Sequence, residues 1–240
     1  MRTIYLDGQY LNVNDQIIDA FTPGAFNAKG VFETMLGLDG VVLDVDVHLK
    51  RLREGLKVLG LKTPSIHPSE LKEVLHRNHL SSARVRLMVW QAGKQMHVMI
   101  AALPYKILQR EFYRVCLIET TWVPDERLAN VKSLDYEFFA SAYAMAKAGG
   151  YDEALLINSR GHIFEASRAN IFWIKDEVLY TPPLSSGCLN GITRQQVIKK
   201  AQTLKLSVKE KNLTPEIFKK ADAAFLTNSL MGIKCLTIKL

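Results

Sequence analysis

The chain is poor in cysteine, and its three cysteines stand far apart in the sequence. Cys116, Cys188 and Cys235 show none of the spacings by which cysteine binds a metal. Long apolar runs are also absent, since no stretch approaches the roughly 20 apolar residues that a membrane helix needs. The N-terminal MRTIYLDGQYLNVND alternates like a strand and lacks the apolar core of a signal peptide. These absences favour a cytoplasmic protein with no metal site and no membrane partner.

The chain also lacks a glycine-rich phosphate fingerprint, internal repeats and low-complexity segments. Its 240 residues are 48% apolar and 23% charged, which is an ordinary balance for a globular protein with a sizeable core. Strand-like and helical segments follow one another without the strand–helix–strand series of a parallel sheet. We therefore predict an α+β fold of hairpins and helices.

The net charge of +7 raises the question of nucleic-acid binding. Basic residues gather in residues 50–57 and 199–212, and both stretches carry an apolar stripe that predicts surface helices with one solvated face. Aromatic residues do not interleave with these charges, and no nucleic-acid module is recognisable. The charge therefore favours an enzyme that attracts small anionic ligands, with no nucleic-acid partner.

Hydrophobic periodicity and turn residues predict two domains, residues 1–105 and residues 106–240, joined near Pro104. The first is predicted to contain strands in RTIYLDGQYLNV, GVFETMLGLDGVVLD, RVRLMVWQ and HVMIAALPY. Its two helices are predicted in HLKRLREGLKVLGL and in the segment capped by Ser69, which has Glu70 and Glu73 in its first turns. The second is predicted to contain a strand in YRVCLIET, a helix after Lys132, and strands in EALLIN, HIFEAS and NIFWIK.

Lys132 directly precedes the segment of helical periodicity in the second domain. The apolar residues Leu134, Phe138, Ala142 and Met145 would share one face of that helix, and the Gly149-Gly150 pair would end it. Most lysines are solvated surface residues. Lys132 therefore points to chemistry only if the rest of the chain supplies partners for its amine.

Two later segments supply such partners. Glu165 stands in the otherwise apolar strand HIFEAS, where a buried carboxylate requires a cation or a donor. In SGCLNGITRQQV, Gly191 lets the backbone approach a ligand, Thr193 offers a hydroxyl, and the first amides of a helix point outward, which makes an anion site. Taken singly, each feature also fits an outward-facing strand residue or an ordinary helix start. Together, an amine, a carboxylate and a phosphate-sized anion site are the set that pyridoxal 5′-phosphate requires.

The run YDEALLINSRGHIFEASRANIFWIKDEVLYTPPLSSGCLNGITR resembles the class IV aminotransferases, the fold type IV pyridoxal-phosphate enzymes, and the resemblance covers nearly the whole chain. This family includes branched-chain aminotransferases, D-amino-acid aminotransferases and 4-amino-4-deoxychorismate lyases. The resemblance implies the two-domain α+β fold of D-amino-acid aminotransferase. It further implies a small N-terminal domain, a larger C-terminal domain that carries the lysine, a cofactor between them, and a homodimer.

The same resemblance assigns the cofactor contacts. It implies that Lys132 forms the Schiff base and that Glu165 partners the ring nitrogen. Tyr136 matches a tyrosine that bonds the ring hydroxyl in some members. The implied phosphate contacts are Arg51 in HLKRL, Ile192, Thr193, and Asn228 in LTNSL.

The chain departs from the family pattern on the substrate side of the site. It reads TPGAFNAKGVFET where many members read D-R-G-F-x-Y-G-D-G before V-F-E-T, so that Thr22, Pro23, Ala28 and Lys29 replace residues that shape the pocket. The segment RLMVWQAGKQMHVMI is shorter than the loop that binds substrate carboxylates in many relatives. Arg86 is the candidate to supply that charge.

Three functions therefore stand open, all of them for a small anionic amine substrate or ligand. The first, which we favour from the sequence, is a lyase resembling 4-amino-4-deoxychorismate lyase, which releases pyruvate and 4-aminobenzoate for folate synthesis. The short length of this chain and its TNSLMGI segment favour the lyase. The second is an aminotransferase for branched-chain or D-amino acids, which TPPLSSGCLNGITR favours. The third is a non-catalytic binding module on the same fold, which only the altered TPGAFNAKG segment supports.

Overall fold

The computed structural model describes residues 1–106, 111–120 and 128–238. Contacts divide the chain into two compact units, Met1–Ile107 with Val131–Phe138, and Leu108–Asn130 with Phe139–Leu240. The segment that contains Lys132 therefore groups with the N-terminal unit, although it lies beyond residue 105. The domain boundary drawn from the sequence stays a prediction.

The N-terminal unit is built on an antiparallel sheet with the strand order β2-β1-β6-β5-β3-β4. Its strands are β1 Arg2–Leu6, β2 Gln9–Val13, β3 Gly30–Leu38, β4 Val41–Val42, β5 Ser82–Ala92 and β6 Gln95–Pro104, and its helices are α1 Asp15–Ala20, α2 Val45–Val58 and α3 Pro68–Arg77. The turn between β1 and β2 has positive φ at Asp7 and Gly8. Such a two-residue turn matches the twist of a hairpin, and the strands predicted in RTIYLDGQYLNV are confirmed.

The two faces of this sheet bury different side chains, because consecutive residues of a strand point to opposite sides. The helix-covered face packs against α2 and α3 and includes Val31, Met35, Val85, Leu87 and Val89. The opposite face includes Phe32, Met88, Trp90, Met99 and Leu134. Alternate residues of β3 and β5 therefore face the helices or the opposite side of the sheet. This alternation determines on which face each candidate site residue lies.

Two details of the N-terminal unit differ from the sequence prediction. Helix α3 begins after His67 rather than at Ser69, and the Glu70 carboxylate accepts a hydrogen bond from the His67 amide at 3.0 Å. Pro68 occupies the first helical position, where its missing N–H costs nothing. Helix α1 has no counterpart among the predicted elements, and its Asn14 side chain caps the Ile17 amide.

The C-terminal unit contains two sheets within the described residues, of order β10-β9-β8 and β13-β12-β11-β14-β15-β7. The strands are β7 Phe112–Tyr113, β8 Val115–Glu119, β9 Glu153–Ile157, β10 Ile163–Ala166, β11 Asn170–Lys175, β12 Val178–Thr181, β13 Val208–Glu210, β14 Ala223–Asn228 and β15 Gly232–Leu236. The helices are α4 Glu137–Ala148, whose first two residues group with the N-terminal unit, α5 Ile192–Thr203 and α6 Pro215–Lys219. The predicted strands in EALLIN, HIFEAS and NIFWIK are confirmed. The chain segment between the parallel strands β8 and β9 includes α4.

Helix α4 is shorter than its sequence pattern suggested. It begins at Glu137, so that Lys132 and Leu134 precede it in extended chain. Met145 is 63% exposed, whereas Ala142 and Ala146 are buried. The predicted stripe was therefore wrong at both of its ends. Its predicted stop is confirmed, because the Gly149 amide bonds to the Met145 carbonyl and Gly150 has positive φ.

The basic stretch 199–212 is helical only in part. Helix α5 ends at Thr203, and strand β13 follows within the same stretch. Leu204 and Leu206, which the helical stripe would bury, are 57% and 54% exposed. Within the described residues, no helix has the length and apolar character to cross a bilayer.

Candidate functional site

Lys132 is held at the edge of strand β3. Its carbonyl accepts a hydrogen bond from the Phe32 amide at 3.0 Å, and the Leu134 amide donates to the Gly30 carbonyl at 3.0 Å. A Cβ on Gly30 would collide with the Val89 backbone and lie 2.8 Å from Leu134 Cδ1. The close approach of the β5 backbone thus requires glycine at position 30. The backbone of Lys132 is fixed by pairing with β3 rather than by a helix start.

The amine of Lys132 lies over aromatic rings. Its Nζ atom is 4.3 Å from the centroid of the Phe32 ring and 5.6 Å from that of the Tyr136 ring. The two rings meet edge to face with centroids 5.2 Å apart. Attraction between a cation and the π face of a ring restrains the amine at this place. The structure therefore brings Tyr136 close to Lys132, while its bond to the ring hydroxyl stays a prediction.

Arg86 lies on the same face of the N-terminal sheet as Phe32. Arg86 of β5 pairs with Thr34 of β3, and Met88 pairs with Phe32. Residues two positions apart in a strand point to the same face. The Arg86 side chain is 8% exposed and donates to Thr22 Oγ1 at 3.0 Å, while its Nε has no hydrogen-bond partner in the described part of the chain. Burial, followed by the neighbouring charge of Arg84, lowers the pKa of Arg86 to about 10.

Arg86 is thus a buried guanidinium without an ion-pair carboxylate among the residues that the structure describes. A buried charge of this kind is costly unless something pairs with it. Its place, on the face of the sheet where the amine of Lys132 lies, suits the carboxylate of a substrate amine.

The segment that departs from the family pattern forms an aromatic cluster on this face. Phe21 and Phe26 flank the altered residues Thr22 and Pro23, and their ring centroids are 5.0 Å apart. Both rings contact Trp90, with centroid distances of 5.8 and 5.3 Å. Thr22, which lies between the two phenylalanines in the sequence, supplies the hydroxyl that receives the Arg86 hydrogen bond. The altered segment therefore builds an apolar wall and orients Arg86.

Arg51 approaches β3 from the helix-covered face, opposite to the Lys132 amine. Its Nε and Nη2 donate to the two carboxylate oxygens of Glu33 at 2.8 and 2.5 Å, and His48 Nδ1 lies 2.7 Å from Glu33 Oε2. Burial by itself raises the pKa of Glu33, but the charge of Arg51 and the hydrogen bonds from Arg51 and His48 outweigh it and lower the pKa to about 2. Sequence reasoning missed Glu33 and His48, which fix the direction of the Arg51 side chain.

In the C-terminal unit, Glu165 is confirmed as a buried carboxylate. Its strand β10 has an irregular register with β9 between Ile163 and Glu165, and the side chain is 7% exposed. The Leu189 amide donates to Glu165 Oε2 at 3.1 Å. A backbone donor that holds one carboxylate oxygen gives the group a defined direction.

The helix start that the sequence predicts as an anion site is present in the structure, and its role as an anion site stays a prediction. Helix α5 begins at Ile192, and its N-cap residue is Gly191, which has no side chain to occupy the first amides. Arg194 in the first turn is 3% exposed, donates to the Pro182 carbonyl at 3.0 Å and pairs with Glu210 at 2.5 Å. These contacts anchor the start of the helix. The amides near Ile192 and Thr193 are therefore presented by a fixed helix end.

Asn228 has a different local role from the one predicted. Its Nδ2 donates to the Arg168 carbonyl at 3.0 Å, and its Oδ1 accepts from the Leu230 and Met231 amides at 3.0 and 2.9 Å. The side chain thus shapes the turn after β14. Its contact with the phosphate stays a prediction.

The neighbouring Thr227 has an unused hydroxyl that sequence reasoning missed. Thr227 is 1% exposed, and its Oγ1 has no partner within the described residues. In the sheet it stands directly opposite Asn170, the residue that contacts Leu189 in the loop before α5. An unsatisfied buried hydroxyl at this place is a candidate donor or acceptor for a ligand.

The structure brings the predicted residues together in two groups. Lys132 lies with Tyr136 in the N-terminal unit, with Arg51 across β3, and Glu165 is joined through the Leu189 backbone to the loop that leads into α5 in the C-terminal unit. These groups fit pyridoxal phosphate chemically, since they provide an amine, a buried carboxylate, the first amides of a helix and the Thr227 hydroxyl, which has no partner within the described residues. Lys132 would hold the aldehyde carbon, and Glu165 would partner the ring nitrogen.

Comparison with known proteins agrees with this chemistry. The family described as amino-transferase class IV matches residues 30–235. A putative branched-chain-amino-acid aminotransferase of Methanocaldococcus jannaschii is 32% identical over 96% of this chain and 85% of that protein. The aminodeoxychorismate lyase of Bacillus subtilis is 28% identical over 96% of this chain and 84% of its own length. The crystal structure of a branched-chain aminotransferase from Thermoproteus uzoniensis with norvaline superposes with a TM-score of 0.83 at 29% identity, and it covers 98% of this chain and 86% of the other.

Proposed function

Because the chain belongs to the class IV aminotransferase family and is a pyridoxal-phosphate enzyme, we propose that it transfers the amino group of a small apolar amino acid. The observation that carries this proposal is the buried Arg86 beside an aromatic wall, on the face of the sheet where the Lys132 amine lies. One buried guanidinium suits one carboxylate, and the rings of Phe21, Phe26 and Trp90 suit an apolar side chain. A homodimer and a cytoplasmic location stay predictions of the sequence.

The residues of the site have separable roles in this proposal. The cofactor supplies an electron sink that makes the proton on the substrate Cα acidic. Lys132 removes that proton, and its amine returns a proton later in the transfer. Glu165 holds a proton on the ring nitrogen by a charge-assisted hydrogen bond. The first amides of α5 and the Thr227 hydroxyl hold the phosphate, and the phosphate contact of Arg51 stays a prediction of the resemblance.

The substrate is oriented by groups of the N-terminal unit. Arg86 binds the substrate carboxylate, and Thr22 keeps the guanidinium at its place. The aromatic cluster excludes water from the apolar side chain of the substrate. An amino acid with one carboxylate leaves no second charge to satisfy, and among the described residues no second buried arginine of this unit lacks a carboxylate partner.

A lyase is the second candidate, and a specific observation favours it. The Bacillus subtilis aminodeoxychorismate lyase matches nearly the whole chain. The lyase needs the same Cα deprotonation by Lys132, but it expels a leaving group and does not pass the amino group to the cofactor. Its substrate carries two carboxylates, so that it requires a second cation in addition to Arg86.

A half-reaction distinguishes the two candidates. The holoenzyme is mixed with branched-chain amino acids and, in parallel, with 4-amino-4-deoxychorismate, and the absorbance of the cofactor and the release of pyruvate are recorded. The aminotransferase converts its cofactor stoichiometrically to the pyridoxamine form with an apolar amino acid. Pyruvate release from aminodeoxychorismate without such a conversion would establish the lyase instead.

The role of Lys132 is tested with a matched pair of lysine variants. Lys132→Ala should abolish turnover and the visible absorbance of the bound cofactor while the protein stays folded, because the residue lies in extended chain outside the buried core. Lys147→Ala, at an exposed position in the last turn of α4, should leave both unchanged. Turnover of Lys132→Ala above a small fraction of the wild-type rate would refute the assignment.

A further inference from the structure

Asn170 contacts the loop that precedes α5, between the residue that bonds Glu165 and the N-cap of the helix. It is the first residue of β11 and is 5% exposed. Its Nδ2 donates to the Leu189 carbonyl at 2.8 Å, and the same carbonyl accepts from the Gly191 amide at 2.9 Å. The amide of Leu189 donates to Glu165. The Leu189 backbone is therefore held by Glu165 on one side and by Asn170 on the other.

Asn170 also explains why residue 191 is glycine. Gly191 has φ −64° and ψ 144°, a conformation that any L-residue adopts. Backbone conformation thus does not require glycine here. A Cβ at this position would instead overlap Asn170 Oδ1, far inside the distance of unbonded atoms. The Asn170 side chain fills the space beside the N-cap of α5 and lies directly against its backbone.

We propose that Asn170 is a positioning residue that sets both ends of the cofactor site at once. Its amide nitrogen fixes the Leu189 carbonyl and, through the Leu189 backbone, the direction of Glu165 at the ring nitrogen. Its oxygen packs against Gly191 and fixes the N-terminal amides of α5 at the phosphate. This inference rests on the proposed use of pyridoxal phosphate, and it concerns how one side chain couples two contacts that are otherwise separate.

An ordinary buried asparagine would satisfy its own polar atoms and support only the loop. Asn130, which is half-buried, provides the comparison within the chain. Its Nδ2 donates to the Leu184 and Cys188 carbonyls at 3.2 and 2.7 Å, so that it supports the same loop. The structure gives it no hydrogen bond to Leu189 or Gly191 among the described contacts. Asn130→Ala therefore loosens the loop without releasing the N-terminus of α5, which makes it the matched control.

The first experiment measures the phosphate end alone. Dissociation constants are determined for pyridoxal phosphate and for pyridoxal, which lacks the phosphate, by titration of the visible absorbance. The dissociation constant for pyridoxal divided by that for pyridoxal phosphate reports the contribution of the phosphate. Asn170→Ala should lower this ratio on the order of tenfold, the loss expected when one charge-assisted contact is weakened. Asn130→Ala should leave the ratio at the wild-type value.

The ring end is read from the same samples as a pH titration of the visible absorbance. Glu165→Gln should displace the pH at which the bound cofactor titrates, and Asn170→Ala should displace it in the same direction by a smaller amount. If Asn170 had only a structural role, Asn170→Ala would change the melting temperature and leave the ratio of dissociation constants and the titration pH at their wild-type values. That result would overturn the proposal. If Asn170→Ala does not fold, Asn170→Ser, which also lacks the amide donor, carries the same expectations.

A double-mutant cycle in the protein without cofactor tests the contact between Asn170 and Gly191 independently. Gly191→Ala should lower the melting temperature, because its methyl group overlaps the Asn170 oxygen. In the Asn170→Ala background the same Gly191→Ala change should cost less. Equal costs in the two backgrounds would show that the contact does not restrain the start of α5 and would overturn the proposal. Failure of the wild type to bind pyridoxal phosphate would overturn the proposed function, and with it the cofactor role of Asn170, while the result of this cycle would still report on the contact.

Discussion

The buried charge of Glu33 should make the N-terminal unit dependent on pH in a predictable way. Glu33 is fully buried and bonds to Arg51 through two oxygens and to His48 through one. Its pKa falls from an ordinary value of 4.5 to about 2, despite the opposing effect of burial. A carboxyl whose pKa is lowered by folding stabilises the folded state above its unfolded pKa, and this stabilisation is lost as the pH falls towards the folded pKa.

The size of the effect follows from these two values. A fall of the pKa from 4.5 to about 2 corresponds to about 3 kcal/mol in the free energy of unfolding at neutral pH. Because the carboxyl is buried, solvent screening does not reduce this value much. Between pH 7 and pH 3 about 2 kcal/mol of it should be lost, and most of that loss should fall below pH 4.5.

The assay is urea unfolding of the wild type and of Glu33→Gln at several pH values between 7 and 3. The variant should be less stable by about 3 kcal/mol at pH 7, because it leaves the Arg51 guanidinium without its buried counter-charge. The difference should shrink as the pH falls. Glu73→Gln is the control, since Glu73 forms an exposed i,i+4 pair with Arg77 whose loss should cost no more than about 0.5 kcal/mol. A difference between Glu33→Gln and wild type that does not change with pH would refute the reasoning.

Three further predictions concern the site. Thr227→Val, which keeps the shape of the side chain, should weaken pyridoxal phosphate binding on the order of tenfold and leave pyridoxal binding unchanged; equal losses for both would contradict a phosphate contact. Arg86→Met should lower kcat/KM for an amino acid on the order of tenfold or more, but not for the matching amine without a carboxylate, which steady-state kinetics will show. Burial, with the Glu165 charge second, raises the pKa of the Cys188 thiol to about 12, so alkylation of the native protein followed by mass spectrometry should label the exposed Cys235 first and leave Cys188 unmodified. Rapid labelling of Cys188 would show that its loop opens.

The strands were predictable because their alternation is local. The run RTIYLDGQYLNV alternates, and NIFWIK is a short apolar run followed by turn residues; both formed strands. The turn between β9 and β10 is equally local, since the Gly161 amide bonds to the Asn158 carbonyl. Strands β14 and β15 were not predicted, although β14 places Thr227 directly opposite Asn170.

The helix after Lys132 shows where local pattern fails. Leu134 has the spacing of a helical stripe with Phe138 and Ala142, yet it is fully buried against the N-terminal sheet in extended chain. Hydrogen bonds to Gly30 and Phe32 override helical propensity at this point. Such pairing depends on residues distant in sequence, so no window of the local pattern contains it.

The sequence by itself determined the chemistry of this protein. The amine of Lys132, the carboxylate of Glu165 and the glycine before α5 are residue types that only a small set of reactions needs together, and the family match agrees with them. Only the tertiary structure decided how each is held: the ring of Phe32 beneath the amine, Glu33 and His48 behind Arg51, and Asn170 against Gly191. The physical reason is that the type of a functional group is written at one position, whereas its direction and charge state depend on atoms that folding brings to it from elsewhere in the chain.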